Sequence, residues 1–257
     1  MPNARTPHQP TQEPDANITT ALESSDFYDA YWSRQGGDLD YTQLMRVRFV
    51  CESIESFVDR ANPDILDLGC GYGWMAPFLQ RLGSVTGVDF GAEGIERASR
   101  TYGHLAKFYR ADPDSSRLGI EEQFDVVVCS EVIEHVPDPR RFLTLIRTFV
   151  RERGWCMLTT PNGNVWEEFV KVPSFRDQLQ PVENWIRPEE LLRLFDDCGF
   201  EVVQHEGRPV YSFRLGWRGG LQAARIEHLA GRLGLTLLWG RLILSTAVYQ
   251  VIAARAR

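Results

Sequence analysis

The spacing of apolar residues changes character along this chain. Four short apolar runs, "DILDLG" (64–69), "SVTGVDF" (84–90), "AKFYRAD" (106–112) and "FDVVVCS" (124–130), read as strands. The last is apolar almost throughout, the pattern of a strand covered on both faces. Between them helical spacing predicts helices from after Gly73 to about Arg81, over 92–102 and over 138–153, the last ended by Gly154. "WCMLTTP" (155–161) reads as a fifth strand, followed by a long irregular segment, 161–187. "RPEELLRLFDDCGF" (187–200) reads as a helix with Pro188 near its start and Gly199 at its end. "FEVVQHE" (200–206) and "TAVYQVIAA" (246–254) supply two more strands, with an insertion, 214–240, between them. Strands alternating with helices specify an α/β fold with a doubly wound, Rossmann-like, mostly parallel sheet. The last two strands lack a regular crossover helix, which suggests an antiparallel element there.

The N-terminal part has a different pattern. Residues 1–24 are rich in Pro, Thr, Asn and Gln and are expected to be disordered. In "DFYDAYWSRQGGDLDY" (26–41), Phe27, Tyr28, Tyr31 and Trp32 fall at helical spacing, and Gly36-Gly37 ends that helix. Residues 42–60 read as a second amphipathic helix, stopped before Pro63. Residues 25–257 are expected to form a single domain with 26–60 as a helical lid, in which Tyr31 and Trp32 either pack into the core or cover the substrate.

Composition is that of an ordinary globular protein, 43% hydrophobic and 25% charged. The net charge of −7 argues against a nucleic-acid-binding surface. That charge is uneven: from His205 to Arg257 there are eight Arg, no Lys and two Glu, giving +6 against −13 for the rest. The five cysteines are scattered without a C-x-x-C pair, which suits reduced thiols in a cytoplasmic protein. No signal-peptide core opens the chain, and the most apolar stretch, 233–254, is broken by Arg241, so no membrane span is expected.

An open parallel sheet offers a ligand crevice beyond the carboxyl ends of its strands. The first strand ends in Asp67, followed by Gly69-Cys70-Gly71-Tyr72-Gly73. The second ends in Asp89, twenty residues after Gly69, and the third in Asp112. The fourth ends in Ser130-Glu131. An acid at the second strand end, that far from a glycine loop, suits the hydroxyls of a nucleotide ribose. The dinucleotide fingerprint is G-x-G-x-x-G; this chain has G-x-G-x-G with Trp74 at the sixth place. One adenosine without a pyrophosphate fits that loop better than a nicotinamide dinucleotide.

These residues resemble the class I S-adenosylmethionine-dependent methyltransferases. "ILDLGCGYG" is similar to their first motif, "GVDF" to the second and "RAD" to the third-strand motif. "FDVVVCSEVIEHVPDP" and "WCMLTTPN" resemble the branch that includes ubiquinone-biosynthesis O-methyltransferases. The resemblance implies a seven-stranded sheet whose last strand is antiparallel. It implies that Asp67 and the Gly69, Cys70, Gly71 and Gly73 backbone hold the methionine part of S-adenosylmethionine. Asp89 would take the ribose, Phe90 and Asp112 the adenine, and Ser130 would present backbone near the methyl-bearing end. Arg46 or Arg48, on the preceding helix, would pair with the cofactor carboxylate or remain solvated.

The acceptor is a small molecule in this reading. Transfer to a hydroxyl needs a proton acceptor, and His135, five residues after Ser130, is the candidate base; the alternative is a structural tie before Pro137. Glu134 either orients its imidazole or faces solvent. No metal-ligand spacing appears among the histidines. In the 161–187 segment, Trp166, Phe169, Phe175 and Trp185 suggest a substrate loop forming the acceptor pocket. In the 214–240 insertion, Ile226, Leu229, Ala230, Leu233 and Leu237 make a helical apolar stripe. Packing on its own domain or on a second subunit in a homodimer is favoured there over a membrane surface. O-methylation leads over N-methylation of an amine such as an amino sugar and over C-methylation. A nicotinamide-dependent oxidoreductase and a binding protein on a vestigial fold are the readings from other classes.

Overall fold

The computed structural model describes residues 39–111, 118–169, 180–208 and 247–257. The 1–24 tail, Tyr31, Trp32, Asp112, Phe175 and the 214–240 insertion lie outside the described residues, so the expectations placed on them stay untested. The described strands are β1 (Asp64–Leu68), β2 (Ser84–Asp89), β3 (Ala106–Arg110), β4 (Phe124–Ser130), β5 (Val150–Pro161), β6 (Phe200–Arg208) and β7 (Tyr249–Ala256). They form one seven-stranded sheet in the order β3-β2-β1-β4-β5-β7-β6. β1 pairs in parallel with β2 and β4, and β4 in parallel with β5. β7 is antiparallel to both β5 and β6, as the resemblance implied.

Two apolar layers cover the sheet. On one face lies α1 (Tyr41–Phe57), started by a capping box: Asp40 accepts from the Gln43 backbone N–H and the Gln43 side chain accepts from the Asp40 N–H. Its Val47, Phe49, Val50 and Ile54 join Ile65, Val126, Val128 and Met157 in one cluster. On the other face α4 (Pro139–Phe149) and α6 (Pro188–Asp197) bury Leu143, Ile146, Phe149, Leu191 and Phe195 against Leu66, Val127, Cys129 and Leu158. Neighbours along β4 thus join opposite clusters, the two-residue period of a strand. That double coverage explains its unbroken apolar run. Shorter helices α2 (Ala76–Leu79), α3 (Ala92–Tyr102) and α5 (Gly163–Phe169) follow β1, β2 and β5. No described helix is long and apolar enough to cross a membrane.

Two boundaries differ from the pattern. The helix predicted over 138–153 stops at Phe149, and β5 begins at Val150 opposite Phe124. Arg151 is drawn between the carboxylates of Asp64 at 2.9 Å and Asp125 at 2.7 Å, which ties it to the starts of β1 and β4. Asp125 also accepts from the Asp64 backbone N–H at 2.8 Å, so tertiary pairing overrides local helical spacing. The segment after Pro161 is not irregular throughout. It opens with α5, where the Asn162 side chain accepts from the Asn164 N–H at 3.1 Å.

The turn after β1 is locked by packing. Gly69, Gly71 and Gly73 take φ of +81°, +54° and +76°, a region that favours glycine. The Gly69 and Cys70 N–H groups both donate to the Val88 carbonyl, at 2.8 and 3.1 Å. A Cβ on Gly69 would overlap Val132 Cγ2, and one on Gly73 would lie 2.9 Å from Phe108 Cζ. Gly69→Ala combines backbone strain with overpacking. It should lower stability by about 2–5 kcal/mol in denaturant unfolding; a loss below about 1 kcal/mol would mean that Val132 yields freely.

Candidate functional site

The carboxyl ends of β1, β2, β4 and β5 meet along one rim. Asp89, last residue of β2, accepts from the Gly71 N–H at 2.8 Å through Oδ2 and from the Gly91 N–H at 2.9 Å through Oδ1. One carboxylate therefore joins the turn after β1 to the turn after β2. Asp67 in β1 is 3% exposed. Burial, reinforced by the Asp89 charge, pushes its carboxyl up to about 7. Cys70 is buried beside both acids, and burial with their charges holds its thiol well above the ordinary range. Phe90 packs, half-buried, against the larger core cluster.

A second group of acids gathers at the ends of β4 and β5. Glu131 takes a left-handed φ of +58°, uncommon for a residue with a side chain and a mark of local strain. Its Oε1 accepts from Thr159 Oγ1 at 2.8 Å, and Oε2 lies 3.8 Å from the Arg46 guanidinium, with side chains 16% and 14% exposed. Arg46 also donates to the Thr42 carbonyl at 3.2 Å and lies over the Trp74 ring at 5.6 Å. Arg46 thus faces an acid of the protein itself. Ser130 Oγ shares a hydrogen bond with Thr159 Oγ1 at 2.9 Å. Glu134 is 1% exposed and accepts from Thr160 Oγ1 at 2.9 Å. Burial pushes both glutamates up to about 8, Glu131 with a further push from Glu134.

His135 closes a one-turn 3-10 helix, Ile133–His135, with its side chain 12% exposed. Its Nδ1 lies 3.1 Å from the Val182 carbonyl oxygen, and its Nε2 lies 3.7 Å from Glu134 Oε1. Glu134 therefore faces the Nε2 side of the ring and is withdrawn from solvent. Further along, Trp166 on α5 donates to the Val248 carbonyl at 3.2 Å. Its ring stacks on Trp185 at 6.3 Å and meets the Tyr249 edge at 6.5 Å. Burial and the Glu131 charge push the Tyr249 phenol up.

The structure thus brings Arg46, Ser130, Glu131, Glu134 and His135 into one neighbourhood, and Asp67, Cys70, Gly71 and Asp89 into another. Trp166 and Trp185 touch each other. The pattern of residues did not single out Thr159, Thr160, Asn184 or Tyr249. The two threonines looked like ordinary strand residues, and Tyr249 arrives from the last strand, where nothing local marks it. No group of three or more His, Cys, Asp or Glu among the described residues is placed to hold a metal ion.

Residues 41–205 match the family model described as a methyltransferase domain. The chain is 29% identical over 211 residues to a ubiquinone biosynthesis O-methyltransferase of Vibrio cholerae, covering 77% of this chain and 84% of the relative. It is 26% identical over 197 residues to the one of Colwellia psychrerythraea, covering 69% and 80%. Among solved structures it is similar to the magnesium protoporphyrin IX methyltransferase of Synechocystis PCC 6803 with bound S-adenosylhomocysteine. That likeness has a TM-score of 0.62 at 12% identity and covers 93% of this chain and 100% of the other. The [4+2]-cyclase SpnF has the same fold, with a TM-score of 0.59 at 16% identity over 92% and 96%. Those two likenesses speak for the fold alone. The match over 41–205, joined to the glycine turn and acids at the strand ends, means that the chain belongs to the methyltransferase-domain family, as a class I S-adenosylmethionine-dependent enzyme.

Proposed function

We propose that this enzyme methylates a hydroxyl of a small molecule in biosynthetic metabolism. The observation that carries the reading is the setting of the His135 ring beside the rim, which suits it to accept a proton. His135 Nδ1 faces a carbonyl oxygen, which only accepts, so the neutral ring carries its proton there and Nε2 keeps a free lone pair. Glu134 Oε1, 3.7 Å from Nε2, supplies a carboxyl beside the charge that forms when the ring takes a proton.

The residues of the other neighbourhood fit the methyl donor. S-adenosylmethionine, when bound, supplies a methyl group on a sulfonium, a leaving group that is already activated. Asp89 would accept from the ribose hydroxyls, with one oxygen already holding the Gly71 turn. Asp67, with Cys70 and the Gly69–Gly73 backbone, would hold the methionine part. Gly69 and Gly73 owe their missing side chains to Val132 and Phe108. Phe90 and Asp112 would flank the adenine, and Ser130 would present backbone near the methyl group. Trp166 and Trp185, with Tyr249, would wall the acceptor. The protein then mainly aligns the reacting atoms and excludes water.

N-methylation is the second reading. One observation favours it: Glu131 and Glu134 crowd two buried carboxyls onto the rim beside the Arg46 guanidinium, and an ammonium acceptor there would favour the ionised carboxylates that burial disfavours. A panel of phenols, sugar alcohols and amino sugars, each incubated with S-adenosylmethionine and followed by S-adenosylhomocysteine release, decides between them. Methylation of amines alone would overturn the hydroxyl reading.

Asp89→Ala should weaken S-adenosylmethionine binding by about 1–3 kcal/mol in calorimetry, the size of lost hydrogen bonds to a charged group; unchanged affinity would remove Asp89 from the ribose. His135→Ala should cut turnover on the best acceptor roughly 10²–10⁴-fold while sparing donor affinity. Near-normal turnover would leave His135 a tie. The buried glutamates also set a pH dependence. Unfolded, each ionises near the ordinary 4.5; folded, near about 8. The folded state therefore holds extra protons across that interval, and its stability falls as pH rises. Above the ordinary histidine value of 6.5 the buried His205, whose charging opposes this trend at lower pH, no longer contributes. The thermal midpoint of the ligand-free protein should fall from about pH 7 to about pH 8, and Glu134→Gln should flatten that fall; a midpoint that stays level across this interval would mean that both acids are ionised throughout.

A further inference from the structure

We propose that Asn184 is a positioning residue that locks the His135 ring in the tautomer with a bare Nε2. The proposal rests on the reading of His135 as proton acceptor and adds the device that sets it. The Val182 carbonyl is 3.1 Å from His135 Nδ1, and a carbonyl at that place demands a proton on Nδ1. The opposite tautomer would set two lone pairs against each other. The carbonyl must therefore be held still, because free imidazole has no fixed tautomer.

Asn184 does this by straddling His135. Its backbone N–H donates to the Glu134 carbonyl at 2.7 Å, and its Nδ2 donates to the Val136 carbonyl at 2.5 Å. The two anchor carbonyls belong to the residues on either side of His135 in the chain. An asparagine amide, one methylene from the backbone, reaches the second carbonyl while its own N–H stays on the first. The strap is tied beyond this point as well. The Ile186 carbonyl accepts from the Gly163 N–H at 3.1 Å and from Gln250 Nε2 at 2.7 Å. Just before Asn184, Glu183 accepts from the Gln180 N–H and from Trp185 Nε1, both at 3.0 Å, and its Oε2 lies 3.9 Å from His135 Nδ1. The strap that orients the ring thus also carries Trp185. Acceptor contact and base orientation share one segment.

The test needs neither acceptor nor methyl donor. Long-range ¹⁵N–¹H correlation spectra of the labelled, full-length protein read the tautomer of each ring directly. The His135 signals are assigned by their loss in His135→Gln. The wild-type ring should carry its proton on Nδ1 once neutral. In Asn184→Ala, and in the near-isosteric Asn184→Asp that lacks the donor, the ratio of Nδ1–H to Nε2–H should fall about fivefold, the effect of one neutral hydrogen bond. S-adenosylhomocysteine affinity, measured on both variants, should stay at the wild-type value and reports that the fold persists. A wild-type ring protonated on Nε2, or an unchanged ratio in the variants, would overturn the proposal. Turnover of His135→Ala tests the underlying reading separately, so a correct tautomer with unimpaired turnover would fault the base and not the clamp.

Discussion

Two hydrogen bonds to one carboxylate hold the first half of the rim together. Asp89 ends β2, yet its oxygens take the N–H of Gly71 and of Gly91, at 2.8 and 2.9 Å. The turn after β1 is built from left-handed glycines, whose backbone alone would leave many conformations open. The carboxylate selects one of them. The same selection fixes the chain into α3 and the place of Asp67, whose carboxyl is raised by burial and by the neighbouring Asp89 charge.

The second half of the rim follows a related logic with different partners. Glu131 and Glu134 are close in sequence and both withdrawn from water, and one guanidinium, Arg46 from the helix before the sheet, lies 3.8 Å from Glu131. Thr159 and Thr160, successive residues of β5, each donate to one of them. Adjacent strand residues normally face opposite ways. Here the left-handed turn at Glu131 lets both acids return to the β5 end. The Thr159 hydroxyl and the Arg46 guanidinium hold the Glu131 carboxyl in that conformation.

The fold was largely legible because it depends on periodicity. β4 carries no polar residue between Val126 and Cys129, and only a central strand between two helical layers tolerates that. The expectation for 138–153 went astray for an equally physical reason. Arg151, Glu152 and Arg153 are good helix formers, but the carboxylates of Asp64 and Asp125 lie far away in sequence and pull Arg151 into the sheet edge. Within the candidate site the acids at strand ends were visible, since each sits at a predictable place. Tyr249 and Asn184 were not, because their partners lie 83 and about 50 residues away: Trp166 for the first, Glu134 and Val136 for the second.

By itself the sequence determined the alternation of strands and helices, the acids at the carboxyl ends of the strands, and the glycine turn after β1. These follow from local rules of period, turn conformation and charge. It also placed His135 at that rim. Only the tertiary structure decided what the glycines make room for, since Gly69 and Gly73 yield to Val132 and Phe108. Only it decided that Arg46 faces Glu131 and that the His135 ring lies between the Val182 carbonyl at Nδ1 and the Glu134 carboxyl near Nε2. Hydrogen bonds and ion pairs act over a few ångströms, and their partners here are separated by dozens of residues; spacing along a chain carries no trace of such distances until the sheet has folded.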